Sequence, residues 1–438
     1  VLRRLELLGL SAVAVVAALS TGLPFLYYLI YLVLFVVGGS YLVTRFGLTD
    51  LEAGYALSAL HGHVGDELRL TYTLRNTAPL PKLWLGVHHP SSLPGGIPGR
   101  AISLPPRAER TWRVRTPLIR RGHYRVEPLV VRTGDPFGFF EASATVGQGL
   151  TVVVYPRVDP LPGWRLPATG LEGSRSYPER TLQATPLATT VRPWAPGDAM
   201  NRIHWKTTAR HGEIQVKEFE LEQTTDVWCF LDLDRAVQAG VGDDGSVELA
   251  VRAAASIAER AIAENRAVGL TVNARRLTVI PADRGPRQRS KIMQVLAAVE
   301  GDGERPLAEV LVVGLPRLRR GMTAVVVTAS RDRSWIRPLA GLRGRGIGSI
   351  VVLVDASPAA TGAGSSLAAT TVPASVGAGR AAARPRAAAR VAAGPEGGSE
   401  DPDLRAVRYA LAEHDLRHYL VRPGRPLGEQ LVEAGASR

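Results

Sequence analysis

From Leu7 to Val43 the chain carries no charged side chain. A run of that length is too long for one ordinary membrane span and suits two short ones. Gly22-Leu23-Pro24 interrupts it in the middle, where a tight turn would fall. The expected spans are Leu5 to Thr21 and Phe25 to Val43. Tyr27, Tyr28, Tyr31 and Tyr41 suit interfacial positions near the ends of the second. Arg3 and Arg4 precede the pair and Arg45 follows it, with no charge in the turn, which places both ends on the cytoplasmic side. The competing reading is a signal peptide, with Arg3 and Arg4, an apolar core, and small residues near Ala18-Leu19-Ser20. Even then the second span remains. The expectation is a cell-membrane protein with a two-helix hairpin in residues 1–46 and a cytoplasmic body.

The remainder, within 438 residues, is long enough for two or three domains. The net charge of +13 is almost all arginine, since Lys82, Lys206, Lys217 and Lys291 are the only lysines. That charge suits anionic lipid head groups of the bilayer. Nucleic acid is not an expected partner, because no stretch interleaves basic and aromatic residues as a stacking platform requires. Cys229 is the sole cysteine, so no intrachain disulfide forms. It lies in the apolar run Val227 to Leu231, as an inert buried thiol does.

Residues 47–156 read as a β-sandwich-like domain. Glu67 to Asn76 and Arg110 to Arg115 alternate as strands, Leu150 to Tyr155 is β-branched, and Arg121 to Tyr124 and Gly134 to Gly138 are turns. His61, His63, His88 and His89 are scattered there and read as surface residues. Residues 157–190, rich in proline and glycine, form a connector. From 226 to 355 the pattern becomes α/β, with buried strands alternating with helices around a mainly parallel sheet. Residues 356–400 are a low-complexity, disordered insertion of Ala, Gly, Ser, Thr, Pro and Arg. Residues 401–438 supply a helix, strand and helix that complete the α/β domain.

Between these domains lies a family-signature segment, 191–225. Arg192, Trp194, Gly197, Asp198, Arg202, His204, Trp205, Arg210 and Glu218 are its candidate interaction residues. Arginines, acids and two indoles at that density predict a partly buried Arg–carboxylate network, packed on Trp194 and Trp205, that clamps one domain to the next. Removing one member of such a buried network would cost about 3–5 kcal/mol.

This segment resembles the bacterial membrane proteins of the domain of unknown function 58 family. Their signature runs Arg, aromatic, Pro-Gly-Asp, then Arg-x-Ile-(Asp or His)-Trp-Lys-x-x-Ala-Arg. Arg192, Trp194, Pro196, Gly197, Asp198, Arg202, Ile203, His204, Trp205, Lys206, Ala209 and Arg210 fill those places. The Arg121-Gly122-His123-Tyr124 and Gly134 to Gly138 turns match two further family motifs. The resemblance implies a C-terminal von Willebrand factor A-like domain. In that fold the first strand ends Asp-x-Ser-x-Ser and holds a divalent cation with a Thr and an Asp from later loops. Here Asp232 matches, while Asp234 and Ala236 replace the serines, so Asp232 and Asp234 are metal candidates without the usual hydroxyls and no cofactor is expected.

No phosphate-binding Gly-rich loop, His-Glu-x-x-His or Gly-x-Ser-x-Gly occurs, so no catalytic residue is assigned. The expected function is a non-enzymatic membrane-anchored adaptor or scaffold in complex assembly or cell-envelope maintenance. The resemblance implies a MoxR-type AAA+ ATPase as partner, and a transglutaminase-like membrane protein as a further associate. The alternatives are a cation-dependent hydrolase using Asp232, Asp234 and an Arg192–Asp198–His204 cluster, and a structural protein that binds another envelope component.

Overall fold

Two helices open the chain, α1 (Leu2–Thr21) and α2 (Pro24–Gly47). Gly22 turns between them at φ +68°, and Pro24 starts α2 where its missing N–H has no helical partner to lose. Among the described residues α2 is the helix long and apolar enough to cross a membrane; a signal sequence near an N-terminus has the same length and composition. The computed structural model describes residues 2–164, 190–196, 198, 200, 203–218, 226–356 and 401–433. The insertion expected at 356–400, except Ala356, and residues 165–189 of the expected connector lie outside them. By its contacts the chain divides into two compact units, Val1–Arg157 with Met293–Val299, and Val158–Ile292 with Glu300–Arg438.

In the first unit the strands are β1 (Leu51–Leu57), β2 (His61–His63), β3 (Glu67–Asn76), β4 (Lys82–His88), β5 (Arg100–Leu104), β6 (Glu109–Pro117), β7 (Gly122–Val126), β8 (Leu129–Gly134), β9 (Glu141–Val146) and β10 (Leu150–Tyr155). They form three sheets, ordered β1-β3-β6, β2-β10-β7 and β5-β4-β8-β9. Alternation drives this arrangement: Leu68, Leu70, Tyr72 and Leu74 of β3 point inward and meet Leu85, Ile102, Trp112, Leu129 and Val152 in one core. The Arg121-Gly122-His123-Tyr124 motif is a backbone device. The Tyr124 hydroxyl donates to the carbonyls of Arg120 and Arg121, and its ring lies over Gly122, where a Cβ would come within 3.1 Å of it.

The end of α2 is built into this unit. Ser40, Thr44 and Gly47 are buried, and a Cβ on Gly47 would lie 2.7 Å from Thr133 Cγ2. Lys82 Nζ donates to the carbonyls of Phe46 (2.6 Å) and Thr49 (2.8 Å), so a cation caps the electronegative end of the helix. Burial pushes the Lys82 ammonium below its usual pKa, and Asp50 nearby opposes that shift.

The second unit begins within the expected connector. There Leu161 and Trp164 are buried, Asp159 pairs with Arg252, and the Asp159 amide donates to Ser256 Oγ at 2.9 Å. A hairpin of β11 (Thr190–Pro193) and β12 (Gln215–Glu218) encloses α3 (Trp205–His211). There follow β13 (Val227–Asp232), α4 (Ser246–Ala263), β14 (Val268–Asn273), β15 (Leu277–Asp283), α5 (Gly285–Ala298), α6 (Leu307–Gly314), β16 (Thr323–Thr328), α7 (Ile336–Ala340), β17 (Gly348–Val354), α8 (Pro402–Glu413), β18 (Arg417–Val421) and α9 (Leu427–Glu433).

The last six strands form one sheet in the order β15-β14-β13-β16-β17-β18, parallel except for β15 at the edge. Every residue of β13, β14 and β16 is buried, as strands covered on both faces must be. Trp228, Phe230, Val326 and Val351 pack with α6, α7 and α8. Cys229 belongs to the alternate set, and burial pushes its thiol up to about 12, so it is protonated and unreactive at neutral pH.

Candidate functional site

In an open parallel sheet the crevice for function lies at the carboxyl ends of the strands, where the strand order reverses. Here the order runs from β13 out to β14 and β15, then returns to β16 on the other side. Asp232 ends β13, Asn273 ends β14 and Thr328 ends β16, and the three side chains meet. Thr328 Oγ1 donates to Asp232 Oδ2 at 2.7 Å, Asn273 Nδ2 donates to Oδ1 at 3.1 Å, and the Asp234 amide donates to Oδ1 at 3.2 Å. Burial raises the Asp232 pKa above the usual carboxylate value; the three hydrogen bonds oppose that, and the Asp234 charge adds to it. The Thr328 hydroxyl also accepts from the Ser330 amide at 2.9 Å. Asn273 Oδ1 is buried with no hydrogen-bond partner among the described residues.

Asp234 turns away from this centre. Its carboxylate accepts from the Ala236 amide at 3.0 Å and caps a short 3₁₀ turn. Gln238 donates to the carbonyls of Asp232 and Asp234, and Ser246 donates to Gln238 Oε1 at 2.6 Å, which wires the loop to the start of α4. Gly303 lies against the same loop; a Cβ there would come within 2.7 Å of the Asn273 carbonyl and 2.9 Å of the Leu233 carbonyl, so only glycine fits. Among the described residues no group of three or more His, Cys, Asp or Glu is placed to hold a metal. One strand further on, Asp355 is buried and accepts from Arg331 Nη2 at 3.0 Å and Arg422 Nε at 3.1 Å, tying together the ends of β16, β17 and β18.

The signature residues sit on the β11–α3–β12 hairpin. Arg192 grips Asp198 with two parallel bonds of 2.8 Å, and Asp198 Oδ2 also accepts from the Ala195 amide at 2.9 Å. Trp194 Nε1 donates to the Asp198 carbonyl at 3.4 Å. These contacts hold Trp194 and Ala195 against Asp198. His204 is the N-cap of α3: its Nδ1 lies 2.7 Å from Thr207 Oγ1 and accepts from the Thr207 amide. Thr208 Oγ1 accepts from the Gln215 amide at 3.0 Å, anchoring α3 to β12. Ile203, Gln215 and Val216 are buried.

Of the expected Arg–carboxylate network, the described residues show the Arg192–Asp198 pair. Its arginine side chain is 41% exposed. Arg210 is exposed on α3, and no residue of that helix is buried. Trp205 is 68% exposed and Trp194 39%, so neither indole is a covered platform. Gly197 and Arg202 lie outside the described residues, as does the side chain of Glu218, whose backbone pairs with Thr190. Sequence reasoning passed over Asn273, Gln238 and Asp355; Asn273 and Asp355 stand at strand carboxyl ends, the signal by which they can be found.

Among solved structures, proximal thread matrix protein 1 from the mussel byssus is 9% identical over 30% of this chain and 37% of that chain, with a TM-score of 0.24. Among curated proteins, uncharacterized protein YeaD of Bacillus subtilis is 27% identical over 299 residues, 65% of this chain and 72% of that protein. Uncharacterized protein Rv1480 of Mycobacterium tuberculosis is 27% identical over 159 residues, 35% of this chain; the match spans 50% of that relative's length. Residues 190–360, which hold both the hairpin and the switch-point centre, match the family described as protein of unknown function DUF58.

Proposed function

We propose that the chain is a membrane-anchored, non-enzymatic adaptor whose β11–α3–β12 hairpin is its docking surface. The observation that carries this reading is α3. A helix of seven residues is too short to persist alone, and this one buries none of them and leaves Trp205 68% exposed. An exposed tryptophan on a helix that also carries an exposed arginine, Arg210, has the composition of a binding hot spot. The switch-point centre supports the same reading, because both Asp232 oxygens already accept hydrogen bonds from the chain itself. A von Willebrand A-like identity for the α/β domain is supported by the doubly wound order, with Asp232 ending the first strand and Thr328 the fourth. A sandwich-like identity for the first unit is supported by its three sheets around one core.

The partner suggested by the family resemblance is a MoxR-type AAA+ ATPase, with a transglutaminase-like membrane protein as a further associate. A cytoplasmic body is the reading that Arg45, in the last turn of α2, supports. The full-length protein, purified in mild detergent, is expected to retain a AAA+ ATPase and to turn over no nucleotide or hydrolase substrate alone. Turnover by the pure protein that disappears in Asp232→Ala would sink the adaptor reading in favour of the cation-dependent hydrolase.

A further inference from the structure

The Gly134-Asp135-Pro136-Phe137-Gly138 turn has so far been only a sequence motif. Its structure is elaborate for a surface turn. The Asp135 carboxylate is buried and accepts from the Phe137 amide at 2.9 Å and the Phe140 amide at 2.6 Å. Burial works against its charge, but the amides of Phe140, Phe139 and Phe137 and the nearby Ser40 hydroxyl outweigh that and hold it below the usual carboxylate range. Gly138, at φ +74°, donates its amide back to the Asp135 carbonyl. The turn therefore holds three phenylalanines in fixed places.

Those places surround the end of α2. Phe140 meets Tyr41 edge to face at 5.7 Å, and Thr133 lies against Gly47. Phe137 and Phe139 stack on each other at 5.8 Å, and Phe137 is 56% exposed. On the adjoining strand β4 the register shifts between Lys82 and Leu85. That bulge turns Lys82 inward to the helix end and leaves Leu83 and Trp84 both exposed. Thr133 Oγ1 donates to the Trp84 carbonyl at 2.9 Å, so Trp84 and the turn are neighbours.

Resting on the membrane reading of α2, we infer that Leu83, Trp84, Phe137 and Phe139 form a collar that inserts into the lipid head-group region around the exit of that helix. Depth argues for this occupant. A span needs about 20 residues, which from Phe25 ends near Thr44, so Tyr41 to Phe46 lie at the interface. The collar is fixed beside those residues and shares their level. Trp84 is a ring of the kind that settles at head-group depth, Leu, Phe and Trp are the side chains that interfacial segments bury at the acyl boundary, and Arg45 provides a cation at the same height.

Phe137→Cys tests the collar in the full chain. Cys229 is buried and unreactive, so a thiol-directed environment-sensitive dye labels position 137 alone. Phe35→Cys, in the exposed middle of α2, is labelled the same way. Both proteins are reconstituted into phosphatidylcholine–phosphatidylglycerol vesicles carrying nitroxide quenchers either near the head group or deep in the acyl chain. The collar predicts that position 137 loses more emission to the shallow quencher, while position 35 loses more to the deep one. Quenching at position 35 with none at 137 overturns the collar and leaves the membrane reading standing. No quenching at either position overturns both.

Discussion

Asp232 shows how one buried carboxylate organises three strand ends. Asp232→Ala would strand the Thr328 hydroxyl and Asn273 amide donors, and is expected to destabilise the second unit by about 2–3 kcal/mol, read as a lowered melting temperature. The Arg192–Asp198 pair makes a contrast. Its arginine is 41% exposed and water screens the interaction, so Asp198→Ala is expected to lower stability by about 1 kcal/mol rather than the several expected of a buried network. The identities of these residues were legible from spacing: Asp232 closes an apolar run, and Arg192 and Asp198 stand six apart across a Pro-Gly turn. Exposure was not legible. A tryptophan in a dense motif reads as core, yet Trp205 opens a helix and is 68% exposed, and only the course of β11 and β12 decides that.

Among the elements, the long buried strands were the most legible. The apolar runs at β13, β14, β16 and β17 are continuous because both faces are covered, which is how buried strands were expected there. Elements whose existence depends on partners were missed. The spacing at β4 gives no period because the bulge between Lys82 and Leu85 breaks it, and α3 is too short to show one. The bulge has a measurable role. Lys82→Met removes the donor to two carbonyls at the end of α2 and is expected to cost about 1–3 kcal/mol, with faster amide exchange over Leu48 to Asp50. The start of the expected connector has no helix or strand, as its prolines and glycines suggest, and Asp159 and Trp164 fasten it within the second unit.

For the whole molecule, His89, which is buried and not at the surface as expected, and half-buried His418 set the expected pH response. Burial lowers the pKa of His89, with its backbone bond at Glu127 opposing and His88 adding to the shift; burial likewise lowers that of His418, opposed by its bond at Leu416 and assisted by Arg408. A depressed folded pKa means that the unfolded chain binds the proton first as pH falls below the ordinary value of 6.5. Both units are therefore expected to be most stable above that value and to lose stability as pH drops through the folded pKa values, which melting curves between neutral and mildly acidic pH will show. His89→Phe should flatten that slope in the first unit.

The central claim is that the signature hairpin recruits a partner and does not clamp the fold, and Trp205→Ala tests it most directly. Melting temperature and retention of the AAA+ ATPase are measured on the same full-length preparation. The predicted result is a melting curve that overlays the parent's, together with loss of the retained ATPase. A lowered melting temperature with the ATPase still bound would contradict the account and return the hairpin to a structural role.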